Sequence, residues 1–407
     1  MATQPRRLIG LTGLLAILFM TSDIGNNVCD AFPISSSRSK NKRKVMSRPK
    51  SGFGIDQRTV PTTHNPDTSD EIKALTSFLT SQQSTGISAD GAGGTRVGIS
   101  QLNGMRGLYA TRAFNKGEIL CQIPSDCALA LSDPAAKGDD APTPVHCGKG
   151  LLQMYLQNEP AKNMWKPYLD TLTTLTKHFT PTPDFYSDEE IALLEFPRLM
   201  TMCRNRQDMI DTVAQESGLD KDALRFATWI ASSRSFPIPI DDDEGKAPKM
   251  DERGQIISKR SPKFLRVLAP YLDLVNHSSD APNVELHLID PDKDDAWFAL
   301  KALRSIPAGK EVTMCYGTGV DSSVELFMNH GFVPDANKID AFMLKKGGDG
   351  CIESLDGWTT TLEEDELMLE EIGDDMDAAT LKSILSFRVR LKRAYADAET
   401  KSNNPDL

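Results

Sequence analysis

Three separated segments of this 407-residue chain carry side chains able to bind and polarise a polar ligand. The first, Asn103 to Glu118, begins with Gly104 and Gly107 on either side of Arg106, and glycine lets a ligand approach the backbone closely. The second, Leu272 to Ser278, contains Asp273 and the pair Asn276-His277, with Asn283 shortly after. The third, Gly309 to Gly317, ends an apolar-alternating run on Tyr316 and is followed by Asn329-His330-Gly331-Phe332-Val333. Singly, each has an ordinary structural reading: a Gly-x-x-Gly turn, a polar loop or cap, a tyrosine walling a core. Only their combination invites a functional reading.

Other chemistry is poorly served. Asp290, Asp292 and Asp294 begin like a calcium loop, but Asp295 stands where its glycine belongs and Lys301 where its glutamate belongs. A hairpin turn explains them better. His277, His287 and Cys315 match no recurrent metal spacing, and none of the seven cysteines forms a Cys-x-x-Cys pair, so no metal is expected. Free, mostly buried thiols in a reducing compartment account for the cysteines. No phosphate-binding loop is present, and Gly91 to Gly94 lie in a polar linker.

The elements that must position these segments are short. Ile72, Leu75, Phe78 and Leu79 mark a helical stripe over Glu71–Leu79. Strand-like runs follow at Val97–Ile99, Gly107–Ala110 and Glu118–Ile123, and again at Val284–Ile289, Ala296–Leu303 and Glu311–Tyr316. Helices are expected between them, over Leu151–Leu156, Trp165–Leu172, a capped helix opening at Ser187-Asp-Glu-Glu190, and Asp222–Arg234. Residues 241–263 read as an exposed polar loop. Thr361 to Thr400 is helical and mostly acidic, with a basic patch at Arg388, Arg390, Lys392 and Arg393. The β units are thus split by a helical insertion of about 130 residues, an α+β arrangement.

In chain order, the three segments resemble the glycine turn, the Asn-His motif and the Tyr-Gly and Gly-Phe motifs of SET domains. Asn163-Met-Trp165-Lys-Pro-Tyr168-Leu-Asp170 resembles a segment of the Rubisco large-subunit lysine methyltransferase group. So do Phe185–Ile191, Phe226-x-x-Trp229 through Phe236, and Phe387–Arg393; the likeness covers about residues 95–395. The resemblance implies a SET-domain fold over 70–335 with a helical insert at about 130–265, then a short helical C-terminal domain over 336–407. It implies an S-adenosyl-L-methionine-dependent protein-lysine N-methyltransferase. Tyr316 would be catalytic, its hydroxyl orienting the acceptor nitrogen and stabilising the moving methyl. Gly104, Arg106, Gly107, Asn276 and His277 would bind the cofactor, Arg234 its carboxylate and Phe332 its adenine. Asp273 and His330 would lie on the substrate side. Two departures stand out: Met105 takes the family's first loop glycine unless Gly104 serves with one extra residue, and His330 replaces a common tyrosine. Histidine methylation and a non-catalytic SET-fold binding module are the alternatives, and the latter need not bind the cofactor.

Charge and the N-terminus suggest where this would happen. Residues 1–50 carry nine Lys/Arg against Asp23 and Asp30, so of the chain's net −11 the remainder holds −18. So acidic a body disfavours nucleic acid and suits a basic protein partner. Arg6 and Arg7 precede an apolar run from Leu8 to Met20, too short to span a bilayer but suited to a signal peptide cut after Ala31. Phe32 to Lys50 is basic, serine-rich and free of acid. A signal peptide over 1–31 and a transit peptide and linker over 32–68 resemble the two-part presequences of secondary red-type plastids; secretion or the endomembrane system is the alternative. The expected partner is a stromal protein such as the Rubisco large subunit or fructose-bisphosphate aldolase, with the mature chain a monomer free of membrane.

Overall fold

The computed structural model describes residues 65–403 except 89–95, 103–104, 133–142, 175–181, 241–262, 292–295, 318–320, 335–336, 338, 341–357 and 374–377. The expected presequence and linker up to residue 64, Gly104, most of the 241–263 loop and the Asp292–Asp294 turn lie outside the described residues. The end of the expected linker is not linker: Asn65–Pro66 pair with Val97–Leu102, and Asp67 is buried against Arg106. The fold is α+β, as expected. Helix α1, Asp70–Ser81, opens on two acidic residues that suit its N-terminal dipole and buries Ile72, Leu75 and Leu79. It packs against helix α3, Glu159–Thr174, where Phe78 meets the edge of the Trp165 ring at 5.8 Å.

The strands form three small sheets. The largest runs β1 (Asn65–Pro66), β3 (Val97–Leu102), β4 (Met105–Ala110), β12 (Glu311–Met314), β9 (Asn276–His277), with β2 (Ile87–Ser88) beside β3. A second joins β10 (Val284–Ile289), β11 (Trp297–Ala302) and β5 (Ile119–Pro124). In the third, β8 (Lys263–Leu268) lies between β6 (Leu129–Ala130) and β7 (Phe236–Ile240). Sequence periodicity missed β7 because Pro237 and Pro239 interrupt it. Among the described residues β7 pairs with β8 alone, as an edge strand, and an edge tolerates proline.

The insertion holds α2 (Pro144–Leu151), α3, α4 (Asp188–Leu193), α5 (Pro197–Ser217) and α6 (Lys221–Arg234). Residues 152–156, expected as regular helix, continue α2 with π-type bonding. The Ser187 capping box is present, Ser187 Oγ accepting from the Glu190 amide while Glu190 accepts from the Ser187 amide. Helix α5 was not legible, although proline opens it and Gly218 closes it in the left-handed conformation at φ 63°. Gly148 of α2 lies against the backbone of α6, where an added Cβ would stand 2.6 Å from the Thr228 nitrogen.

The expected boundary near residue 335 does not separate two cores. Tyr186, Ile191, Phe196, Leu199 and Cys203 of the insert, Val324, Phe327 and Met328 of α7 (Ser323–His330), and Ile384, Phe387 and Leu391 of the C-terminal helix form one apolar cluster. That C-terminal helix, α9 (Ala379–Asn403), follows α8 (Leu362–Ile372). The basic patch is only partly a surface. Arg388 and Lys392 are buried and converge on the buried Asp365, with Arg388 Nη2 and Lys392 Nζ each 2.6 Å from its carboxylate. Arg390 reaches Asp340 at 3.4 Å and Arg393 reaches Glu366 at 2.7 Å.

Candidate active site

The site begins with the parallel pairing of β9 and β12, which sets Asn276 opposite Thr313 and His277 opposite Met314. Asn283 reinforces it with three bonds. Its amide donates to the Thr313 carbonyl at 2.9 Å, its Nδ2 to the Glu311 carbonyl at 2.8 Å, and its Oδ1 accepts from the Thr313 amide at 2.9 Å. The chain leaving β12 therefore carries Tyr316 past His277. The Tyr316 amide donates to His277 Nδ1 at 3.0 Å, so the ring proton sits on Nε2 and is donated to Ser279 Oγ at 2.6 Å. Burial pushes this imidazole down to about 4, so it is neutral at physiological pH.

The Tyr316 hydroxyl donates to the Val275 carbonyl at 2.7 Å. With its proton committed there, the oxygen presents lone pairs to the remaining space. Burial holds the phenol above its ordinary range, so it stays protonated. Three rings surround it: His277 with centroids 5.1 Å away, His330 at 4.7 Å and Phe332 at 6.2 Å. Phe332 also lies 5.5 Å from His277. His330 ends α7 and bonds the Ser233 backbone; burial, aided by neighbouring His277 and the Arg234 and Arg266 cations, pushes it down to about 3. Two neutral imidazoles thus flank the tyrosine.

Gly107 faces Asn276 across the sheet. A Cβ at residue 107 would come within 2.5 Å of Asn276 Nδ2, which donates to Glu311 Oε1 at 2.9 Å. Arg106 turns its guanidinium to Asp67, 2.7 Å away, leaving its side chain 15% exposed. Burial pushes the Asp67 carboxyl up, but the Ser69 bonds and the Arg106 charge outweigh it and hold the group below its ordinary range.

Arg234 closes α6 beside the site. Its Nη1 donates to the Asp273 carbonyl at 3.2 Å and stands 3.5 Å from Asp273 Oδ2. Asp273, expected on the substrate side, is turned inward with its side chain 1% exposed. Its Oδ2 accepts from the fully buried Tyr168 hydroxyl at 2.8 Å. Tyr271, two residues before Asp273, is held at φ 73° and anchored through its hydroxyl to the Val97 carbonyl at 2.6 Å. A tyrosine at positive φ is strained, and strain of this kind gathers at functional sites.

The structure therefore brings Tyr316, His277, His330 and Phe332 into one aromatic cluster. Arg234 adjoins it through the Ser233–His330 bond, and Gly107 lies against Asn276. Sequence reading gave no role to Tyr168, Glu311, Ser279 or the Val275 carbonyl. Tyr168 alone left a signal, a hydroxyl at an apolar position of an amphipathic helix. Among the described residues no group of three metal-capable side chains occurs.

The model of one family, "SET domain", matches residues 105–317, just over half of the chain. The chain belongs to the SET-domain family. Two relatives are similar over 58% of it. The chloroplastic ribulose-1,5 bisphosphate carboxylase/oxygenase large subunit N-methyltransferase of Nicotiana tabacum is 24% identical over 249 residues, 47% of its own length. Protein SET DOMAIN GROUP 40 of Arabidopsis thaliana is 23% identical over 259 residues, 52% of its length. The chain thus spans about half the length of these relatives. Among solved structures, the SET domain of LSMT bound to lysine and AdoHcy superposes with a TM-score of 0.50 at 15% identity, covering 84% of this chain and 93% of that one. At that identity the likeness shows the SET fold. The matched span holds β4 with Arg106 and Gly107, the whole insert, Arg234, the Asn-His pair and Tyr316; β3 and Gly104 lie before it, and His330 and Phe332 just beyond it.

Proposed function

We propose that this SET-domain protein is an S-adenosylmethionine-dependent protein-lysine N-methyltransferase of the plastid. The observation that carries the proposal is the Tyr316 hydroxyl, fixed on the Val275 carbonyl inside a cluster of uncharged rings. S-adenosylmethionine, the product form of which occupies the LSMT structure, would supply a sulfonium-bound methyl group for in-line displacement. The residues present fit it. Gly107 carries no Cβ to narrow the approach, and Arg234 keeps a buried Nε without a hydrogen-bond partner beside a side chain 18% exposed. Arg234 would hold the carboxylate, Asn276 and His277 the polar edge of the ligand, and the Phe332 ring the adenine. Gly104 and the Arg106 backbone would complete the cofactor side.

On the acceptor side, a lysine with a reference pKa of about 10.4 must lose a proton before it can attack. His277 and His330, held at about 4 and 3, take up no second ring proton at neutral pH and so add no cation beside the amine. Neither is basic enough to serve as the general base, so the proton leaves to water and the site favours the neutral amine through desolvation. The lone pairs of Tyr316 face the polarised methyl as it moves and stabilise its positive charge. His330, its ring tilted 36° and centred 4.7 Å from that of Tyr316, would shape acceptor preference or methylation state, while Asp273 acts through Arg234.

The SET unit is proposed to span 70–335 with its insert at about 130–265, and the C-terminal helices to serve substrate docking. A plastid location is supported by the basic, acid-free stretch after Ala31 and by the chloroplastic tobacco relative. The substrate would be a stromal protein, with the Rubisco large subunit and fructose-bisphosphate aldolase as first candidates and the enzyme a monomer. Amino-acid analysis of protein labelled with methyl-tritiated S-adenosylmethionine tests the acceptor. Methyllysine is expected; methylhistidine would replace the lysine assignment while keeping the transferase.

A further inference from the structure

Arg234 is a cation with a carboxylate already beside it. A closed, bidentate Arg–Asp pair would offer little net charge to a third group and would bind an incoming carboxylate poorly. The pair here is not closed. Asp273 Oδ2 takes its short bond, 2.8 Å, from the Tyr168 hydroxyl, whereas Arg234 Nη1 stands 3.5 Å off and lies nearer the Asp273 carbonyl at 3.2 Å. Asp273 Oδ1 and Arg234 Nε are both buried with no hydrogen-bond partner, so the second arm of the fork is unmade. Tyr168 comes from a different element, α3 of the insert, and is 1% exposed. Burial holds its phenol well above the ordinary range, so the proton it donates is retained.

We propose that Tyr168 is a positioning residue that draws the Asp273 carboxylate away from Arg234, leaving the guanidinium free to receive the carboxylate of an amino-acid-bearing ligand. The proposal rests on the S-adenosylmethionine reading and gives the insert a part in it. Helix α3 thereby sets the charge that Arg234 presents at the end of α6. Phenylalanine at residue 168 would preserve packing but release Asp273, which would close on Arg234.

Calorimetry on the full chain tests this with two probes. One is S-adenosylhomocysteine; the other is methylthioadenosine, which keeps the adenosine and thioether but lacks the amino-acid carboxylate. Tyr168→Phe is expected to weaken S-adenosylhomocysteine about tenfold, the scale of one charge-assisted bond, and to leave methylthioadenosine unchanged. Adding Asp273→Asn to Tyr168→Phe should restore S-adenosylhomocysteine to within about twofold of wild type, because an amide cannot neutralise Arg234. Should Asp273→Asn fail to fold, the ratio of the two affinities in Tyr168→Phe decides alone. Equal loss of both probes would make Tyr168 a packing residue and overturn the proposal, as would unchanged binding of S-adenosylhomocysteine. Wild-type protein that binds neither probe would overturn the cofactor reading itself, and this proposal with it.

Discussion

At the scale of single residues, the site depends on groups kept neutral and on one position kept empty. His277 and His330 have folded values of about 4 and 3 against an ordinary value near 6.5, so between these limits the unfolded chain binds protons that the folded chain does not. Their contribution to stability is complete above pH 6.5 and is lost as pH falls toward 4. Thermal melting from pH 7.5 to 5 should therefore show wild type losing stability relative to His330→Phe; parallel curves would mean that His330 protonates freely in the fold. Gly107→Ala presses a Cβ onto the movable end of Asn276, 2.5 Å away, so Asn276 should swing and lose its bond to Glu311. That variant should melt within a few degrees of wild type but bind S-adenosylhomocysteine at least tenfold more weakly by calorimetry, about the value of one bond. The motif residues Asn276, His277, Tyr316 and Phe332 were legible in the sequence because their chemistry is local and their order informative. Tyr168 was legible only as a member of a helical segment. Its role depends on a contact 105 residues away, which no spacing rule supplies.

At the scale of elements, the same argument about space gives a different answer elsewhere. Gly148→Ala raises helix propensity in α2 by about 1 kcal/mol. The new Cβ, however, meets the backbone of Thr228 at 2.6 Å, and a backbone cannot swing aside. Overpacking of this kind costs about 1–3 kcal/mol, so a net loss is expected, read as a lower midpoint in denaturant melts. A variant as stable as wild type would show that α2 and α6 slide easily past one another. Sequence reading found the elements whose signals were strong, such as the α1 stripe and the Ser187 capping box. It missed α5, where buried Leu199, Cys203, Ile210, Val213 and Ala214 are scattered among many polar residues, and β7, where two prolines mask a strand. Two of its strands ran short, while Glu311–Tyr316 ran long, since the strand ends at Met314. Val97–Ile99 and Gly107–Ala110 extend to a hairpin in which Leu102 pairs with Met105, so Arg106 and Gly107 lie on a strand and not in a turn.

At the scale of the molecule, the C-terminal helices are tied to the insert and to the helix that carries His330. Asp365 neutralises two buried cations, Arg388 and Lys392, while Arg388 Nη1 donates to the Leu193 carbonyl at 3.1 Å and Lys392 lies over the Trp358 ring at 4.7 Å. Removing the carboxylate takes the ion-pair partner from buried Lys392 and leaves Arg388 only the longer contact with Glu195, 3.5 Å away. Asp365→Ala should cost about 3–5 kcal/mol, and because the cluster is shared, it should lower one common unfolding transition. A separate early transition would show that the C-terminal helices fold independently. None of this was readable from a run of basic residues, whose burial depends on which partners the fold brings to them. The α+β division itself was legible, since it rests on where strand patterns stop and resume. The central claim, that Tyr316 and its surrounding rings transfer a methyl group to a protein, is tested most directly with methyl-tritiated S-adenosylmethionine and stromal protein. Wild type and Tyr316→Phe would be compared at matched S-adenosylhomocysteine affinity. A labelled band that falls by about 10²-fold or more in Tyr316→Phe is the predicted result. Equal labelling by both proteins would contradict the account, as would cofactor binding with no transfer to any stromal protein.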